Sequence, residues 1–156
     1  MSVVYIGIGS NLGDRHKNCE HAIELLEKRG IIVKKKSSMH ETAPWGIKDQ
    51  PVFINMVIEI ETGLKPKELL RLLKDVEKEA GRKETFKWGP RIIDLDILLF
   101  DDIVLNENDL KIPHPSMHKR DFVLMPLCEI APDIKHPVLN LSVKDLMQKL
   151  SNGQNI

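Results

Sequence analysis

At 156 residues the chain is long enough for one domain that buries roughly two-thirds of its unfolded surface, and nothing in it calls for a second. Lysine plus arginine and aspartate plus glutamate both number 23, so zero net charge gives no general attraction to nucleic acid or an anionic membrane, and a phosphate ligand would have to be met locally. No apolar run approaches a membrane span, Val3 to Ile8 is short and interrupted by Gly7 where a signal peptide would need continuity, and Cys19 and Cys128 read as free thiols; a cytoplasmic protein is expected.

In chain order, Ser2 to Ser10 reads as a strand ending in Gly9-Ser10-Asn11-Leu12-Gly13-Asp14, a tight turn in which Gly-Ser-Asn supplies unusual dihedrals. Asp14 can cap a helix to about Arg29 that buries Ala22, Ile23, Leu25 and Leu26 and ends at Gly30. Strand, glycine-rich turn and helix invite a dinucleotide-binding reading. The third glycine comes one position late for it, and the next strand begins with Lys34-Lys35-Lys36 instead of ending in a ribose-binding acid. His16, Cys19 and His21 lack the further ligands that a metal site would need.

Ile31 to about Glu41 is predicted as a second strand, exposed along its basic middle, followed by the loop Thr42-Ala43-Pro44-Trp45-Gly46. Asp49-Gln50-Pro51 leads into a third strand, Val52 to Glu61, with Phe53, Asn55, Val57 and Glu59 on one face and Ile54, Met56, Ile58 and Ile60 on the other. Asn55 in this apolar setting must have its amide paired, by backbone or by a flat heterocycle with donor and acceptor edges. Pro66 opens a helix whose buried stripe is Leu69, Leu72, Leu73, Val76 and Ala80; Gly81 closes it, Lys65 is an unusual cap, and Glu77 reads as a solvated flank residue.

Arg82, Lys83, Lys87 and Arg91 then crowd a loop before a strand of alternating character, Ile92 onward. Ile93, Leu95, Ile97 and Leu99 would share one face and Asp94 and Asp96 the other. Two carboxylates about 7 Å apart on a strand raise each other's pKa unless a cation lies between them. A solvated edge strand also carries such residues. The nearby cations make better sense with a triphosphate and its metals between them and the acids; hard oxygen ligands suit Mg²⁺, and the separation suits a pair of ions. After Phe100, short strands around Ile103 to Leu105 and Leu110 to Ile112 lead to Pro113-His114-Pro115, a rigidly presented histidine. Val123 to Ala131, with Pro126, reads as a short or broken helix, and Ser142 caps a last helix through Leu150. The β-α-β-β-α-β order favours an α+β, ferredoxin-like antiparallel sheet with helices packed on both sides, in a single domain covering 1–156.

The stretch Lys87-Trp88-Gly89-Pro90-Arg91-Ile92-Ile93-Asp94-Leu95-Asp96-Ile97-Leu98 closely resembles the signature of the 6-hydroxymethyl-7,8-dihydropterin pyrophosphokinases of the folate pathway, and Gly9-Ser10-Asn11-Leu12-Gly13 resembles their opening. The likeness covers nearly the whole chain and implies the same fold. It implies pyrophosphoryl transfer from ATP to the pterin hydroxymethyl group with release of AMP, helped by two Mg²⁺ on Asp94 and Asp96 and by Arg82 and Arg91 as catalytic residues on a mobile loop. Glu77, Arg82, Trp88, Arg91, Ile97, His114 and Arg120 would bind ATP; Thr42, Ala43, Trp45, Phe53, Asn55 and Phe122 would bind the pterin. His118 is not carried over and is expected at the surface; Lys74, Lys83 and Lys87 are not matched. The implied partners are the two small-molecule substrates, with no nucleic acid or membrane, and a monomer is expected. A two-metal nuclease or nucleotidyltransferase would want a basic groove and leaves Phe53, Asn55 and Phe122 unexplained. A ferredoxin-like ligand-binding regulatory module leaves Asp94, Asp96 and the basic loop without a joint purpose.

Overall fold

The computed structural model of the chain describes residues 1–42, 52–81 and 92–153. Its elements run β1 (Ser2–Ser10), α1 (Arg15–Lys28), β2 (Ile32–Lys36), β3 (His40–Thr42), β4 (Phe53–Thr62), α2 (Pro66–Glu79), β5 (Asp94–Phe100), β6 (Leu105–Asn106), β7 (Lys111–Ile112), a 3-10 turn (Met117–Lys119), α3 (Asp121–Ile130) and α4 (Val143–Ser151). The main sheet has the order β2-β4-β1-β5, with β3 beside β4, and every pairing is antiparallel; β6 and β7 form a separate ribbon. Among the described residues no helix is long and apolar enough to cross a membrane.

The helix starts follow local chemistry. The Asp14 side chain accepts the Lys17 N–H at the head of α1, and Ser142 accepts the Asp145 N–H at the head of α4. Lys65 has no side-chain oxygen to offer α2, so Glu68 reaches back instead and its Oε1 accepts the Lys65 N–H at 2.8 Å. At its far end α1 stops at Gly30, whose φ of +86° suits glycine.

Alternation along β1 and β4 divides the core in two. Val4, Ile6, Ile8, Ile54, Met56, Ile58 and Ile60 join Ile93, Leu95 and Ile97 in a cluster with residues of α1 and α2. Tyr5, Val57, Leu98 and Leu99 join a second cluster with residues of α3 and α4. Leu99 therefore does not share the face of Ile97, as strict alternation would have it. The β1–β5 register steps from Ile6↔Ile97 to Tyr5↔Leu99, leaving Leu98 as an extra residue, and this bulge turns both leucines toward the second cluster and Phe100 back to the first.

Two other expectations change. Gly9, expected to open a tight turn, lies inside β1 as Gly7 does; of the glycines up to Gly13 only Gly13 has positive φ, +72°. The predicted second strand is divided at Ser37, where the Ser37 Oγ accepts the Val57 N–H at 2.9 Å and donates to the Ser38 carbonyl at 2.8 Å. Pairing with β4 resumes one residue out of step, from Lys36↔Ile58 to His40↔Asn55. Beyond the break, Glu129 of α3 accepts from the Ser38 N–H and hydroxyl and lies 3.0 Å from the His40 Nε2, so α3 is clasped to β3. Both serine and carboxylate meet the same ring nitrogen of His40, which rules out a catalytic relay through that ring.

His118 is half-buried, not a surface residue, because the 3-10 turn carries it against the segment before α4. Its ring meets that of His136 edge-on at 6.0 Å, and the His136 Nδ1 accepts the Val138 and Leu139 N–H groups. Burial first, then Lys119 for His118 and His118 for His136, hold both imidazoles below their ordinary 6.5. The unfolded chain then takes up protons first, so this contribution to stability is complete above the ordinary value and is lost as pH falls below it. Thermal melts from pH 7.5 to 5 are expected to show a falling Tm. His136→Asn, whose Oδ1 can replace the Nδ1 acceptor, should flatten that slope; an unchanged slope would remove the pair as its source.

Candidate active site

Strand register assembles the site. Gly9 is the Cα partner of Asn55 on β4 and of Asp94 on β5, while Gly7 is the partner of Val57 and Asp96. Directly opposed residues share a face. Across the middle strand the sheet thus reads Asn55, bare backbone, Asp94, with the two ends about 10 Å apart at Cα by strand spacing. A Cβ built on Gly9 would stand 2.9 Å from the Asn55 Oδ1 and 3.7 Å from the Phe53 Cδ1, so glycine at this position gives the Asn55 amide its place over β1. On the same face the second core cluster fills in from Val57 and Leu98 onward, leaving the lane of Gly7 and Gly9 at its edge.

The lane ends in the predicted residues. Phe53 lies on Asn55's face of β4, opposite Thr42 of β3, and is half-buried. Phe122, in the first turn of α3, packs against the second cluster. The Arg120 guanidinium lies 5.6 Å from the Phe122 ring centroid, a cation–π contact at the junction of the 3-10 turn and α3. His114 is tied to β5 by its N–H to the Leu98 carbonyl, 2.9 Å. Burial and the nearby Arg120 push its imidazole down to about 4 against the opposing pull of Asp94. The ring is neutral, and its Nδ1 accepts the Ser116 N–H at 3.3 Å, so the remaining proton sits on Nε2 as a donor.

Glu77 is not solvated: it is 7% exposed, and its Oε2 accepts the Leu95 N–H at 2.8 Å, between the two aspartates in sequence. Asp94 and Asp96 are half-buried on the lane face, whereas Ile97 is 4% exposed among the first cluster. Among the described residues there is no group of three or more His, Cys, Asp or Glu that could hold a metal ion, so the acidic donor set here is the aspartate pair. Arg82, Trp88, Arg91, Ala43 and Trp45, with Lys83 and Lys87, lie outside the described residues, as does the side chain of Thr42.

Sequence reasoning missed two features. Ser10 and Asn11 are fully buried, with the Asn18 Nδ2 donating to the Leu12 carbonyl at 2.7 Å and to the Ser10 Oγ at 3.2 Å, so the end of β1 is pinned to α1. A cavity of about 450 Å³ lined by Asn11, Gly13, Arg15, Glu41 and Val52 opens beside it, and Arg15 donates to the Val52 carbonyl. The run of small and polar residues from Gly9 was the signal for both, but it was absorbed into a turn.

The family model described as 7,8-dihydro-6-hydroxymethylpterin-pyrophosphokinase (HPPK) matches residues 5–132. The chain is 48% identical over 145 residues to a 2-amino-4-hydroxy-6-hydroxymethyldihydropteridine pyrophosphokinase of Aquifex aeolicus, covering 93% of this chain and 90% of that protein. It is 45% identical over 135 residues to the Bacillus subtilis protein of the same name, covering 86% and 81%. The folic acid synthesis protein FOL1 of Dictyostelium discoideum is 41% identical over 99% of this chain, which spans only 23% of that longer protein. Among solved structures, wild-type Plasmodium falciparum HPPK-DHPS with pteroate superposes with a TM-score of 0.76 at 17% identity, over 95% of this chain and 42% of that one, a likeness of fold. With the family model spanning β1 to the end of α3, and relatives matched over most of their own length, the chain belongs to the 7,8-dihydro-6-hydroxymethylpterin-pyrophosphokinase family.

Proposed function

We propose that the protein transfers the terminal pyrophosphoryl group of ATP to the hydroxymethyl oxygen of 6-hydroxymethyl-7,8-dihydropterin, releasing AMP, in tetrahydrofolate biosynthesis. The observation that carries this reading is the row Asn55, Gly9, Asp94: a heterocycle-reading amide and a metal-suited carboxylate face one another across a strand with no side chain between them.

The pterin would lie with its edge on Asn55, Thr42 and the chain at Ala43 and Trp45, between the Phe53 and Phe122 rings, which suits a flat bicycle. Its hydroxymethyl group would point along the lane toward Asp94 and Asp96. The triphosphate would meet the Nε2–H of neutral His114, the guanidinium of Arg120, and Arg82, Trp88 and Arg91, with the nucleotide extending toward Glu77 and Ile97. Since the Ile97 side chain is buried on the other face, its contact would be through main-chain groups at the outer edge of β5.

Attack by the hydroxymethyl oxygen forms the bond to the β-phosphorus and breaks the bond from that phosphorus to the α,β-bridging oxygen. AMP departs with that oxygen, and the hydroxyl proton goes to solvent. Asp94 and Asp96 fit two Mg²⁺ as hard oxygen donors, with phosphate and water completing the ligand sets. When bound, the ions would supply charge neutralisation on the phosphates and acidify the attacking hydroxyl. Arg82 and Arg91 would take up phosphate charge as it redistributes. We read the architecture as ferredoxin-like, with α1 and α2 on one face of the sheet and α3 and α4 on the other, in a single domain over 1–156 of a cytoplasmic monomer. Its partners are the two substrates, not nucleic acid or a membrane.

The product separates this reading from its rivals. Incubation with ATP, Mg²⁺ and the pterin is expected to yield AMP and pterin pyrophosphate in equal amounts; ADP as the product would move attack to the γ-phosphorus and refute the reaction. Asp96→Ala should lose turnover by about a thousandfold or more while the fold persists, as expected for removal of a metal ligand, and full activity with Mg²⁺ would refute the metal assignment. Gly9→Ala should weaken pterin binding by about tenfold, the loss of roughly one hydrogen bond through displacement of Asn55, with ATP binding unchanged. Equal loss for both substrates in calorimetry would contradict the placement of the pterin.

A further inference from the structure

We infer that Glu77 is a positioning residue: its carboxylate acts on the metal-binding aspartates through the backbone of Leu95, by accepting a hydrogen bond, and not through its charge. This deepens the pyrophosphokinase reading and rests on it for the role of Asp94 and Asp96.

The inference starts from strand pairing. Among the described residues β5 is the last strand of the main sheet, and one of its edges has no neighbouring strand there. On such an edge alternate N–H groups point outward and, once buried, need an acceptor. Leu95 has its side chain in the first cluster, 5% exposed, and its outward N–H is met by the Glu77 Oε2 at 2.8 Å. Asp94 and Asp96 are its immediate chain neighbours and pair inward with Gly9 and Gly7. The Leu95 N–H belongs to the planar peptide unit that ends at the Asp94 Cα, and Leu95 alone separates that unit from Asp96, so anchoring this amide restrains the backbone that carries both carboxylates. Glu77 is itself held, because α2 packs its Leu69, Leu73 and Val76 into the same cluster that receives Leu95.

A buried carboxylate is costly unless its oxygens are hydrogen-bonded, and an apolar residue would pack more simply on this face of α2. What the side chain supplies is an acceptor oxygen at the reach of the outward Leu95 N–H, which an apolar residue cannot offer. A hydrogen bond that orients a ligand from behind typically carries 10–100-fold in metal affinity. A glutamine keeps an acceptor oxygen at the same reach, so it separates acceptor geometry from charge.

The test uses the full chain as native, Glu77→Gln and Glu77→Met. Three quantities are read: hydrogen exchange at the Leu95 amide, Mn²⁺ binding in the presence of a non-hydrolysable ATP analogue by electron paramagnetic resonance, and AMP formation. Glu77→Gln is expected to stay within about threefold of native in Mn²⁺ affinity and to keep Leu95 protected. Glu77→Met should speed Leu95 exchange and weaken Mn²⁺ binding by about tenfold or more. A glutamine variant as impaired as the methionine variant would show that charge matters and overturn the inference, as would native Mn²⁺ affinity in Glu77→Met. Should Glu77→Met fail to fold, near-native Mn²⁺ affinity in Glu77→Gln still supports the inference and its loss still overturns it. A native protein that binds Mn²⁺ through Asp96 but forms no AMP with the pterin would refute the proposed reaction and leave the positioning role intact.

Discussion

A Cβ on Gly9 would meet the Asn55 Oδ1 at 2.9 Å, and much of the site's layout follows from the absence of that one carbon. Glycine in a strand interior forfeits packing and chain entropy, so two of them two residues apart weaken the central strand of the sheet. Here they keep a lane of backbone open between the neighbouring strands, and the side chains that border it come from residues far apart in sequence. Asn55 and Asp94 meet across Gly9, and Val57 and Asp96 across Gly7. The lost stability is offset by neighbours on the opposite face, where Val4, Ile6 and Ile8 of the same strand are buried against α1 and α2.

The far side of the lane is an edge strand held from two directions. His114 donates its N–H to the Leu98 carbonyl and presents a neutral ring beside Arg120 and Asp94, while Glu77 takes the Leu95 N–H from the α2 side. At the first of these attachments the bulge at Leu98 changes what the strand does. Before it, the lane face carries carboxylates; after it, two consecutive leucines turn into the core shared with α3 and α4. A bulge beside a site is a common way to re-aim side chains, and here it lets one short strand carry half-buried carboxylates at its start and core leucines at its end.

Much of this was legible in the sequence, and the failures have definite causes. The Asp14 and Ser142 caps, the stripe of α2 and the two faces of β4 are local or periodic signals, and the fold uses them as read. The placement of Leu99 failed because a one-residue register slip is a property of a strand pair. Gly9 was taken for a turn residue because sequence cannot distinguish a glycine chosen for its dihedrals from one chosen for having no side chain. Glu77 and His118 were assigned to solvent because the groups that bury them, Leu95 and His136, are distant in the chain. Asn55, Asp94 and Asp96 were singled out as residues needing partners, but only the register places Asn55 and Asp94 on either side of Gly9 and Asp96 beside Gly7.

The central claim is spatial: the pterin hydroxymethyl group and the metal-bound phosphates meet over Gly7 and Gly9. The most direct measurement is paramagnetic relaxation of the bound pterin's protons by Mn²⁺ in a complex with a non-hydrolysable ATP analogue. The account predicts that the hydroxymethyl protons relax far faster than the other carbon-bound protons of the pterin, and that the effect disappears in Asp96→Ala. Uniform relaxation over the ring, or an effect that survives the loss of Asp96, would contradict it.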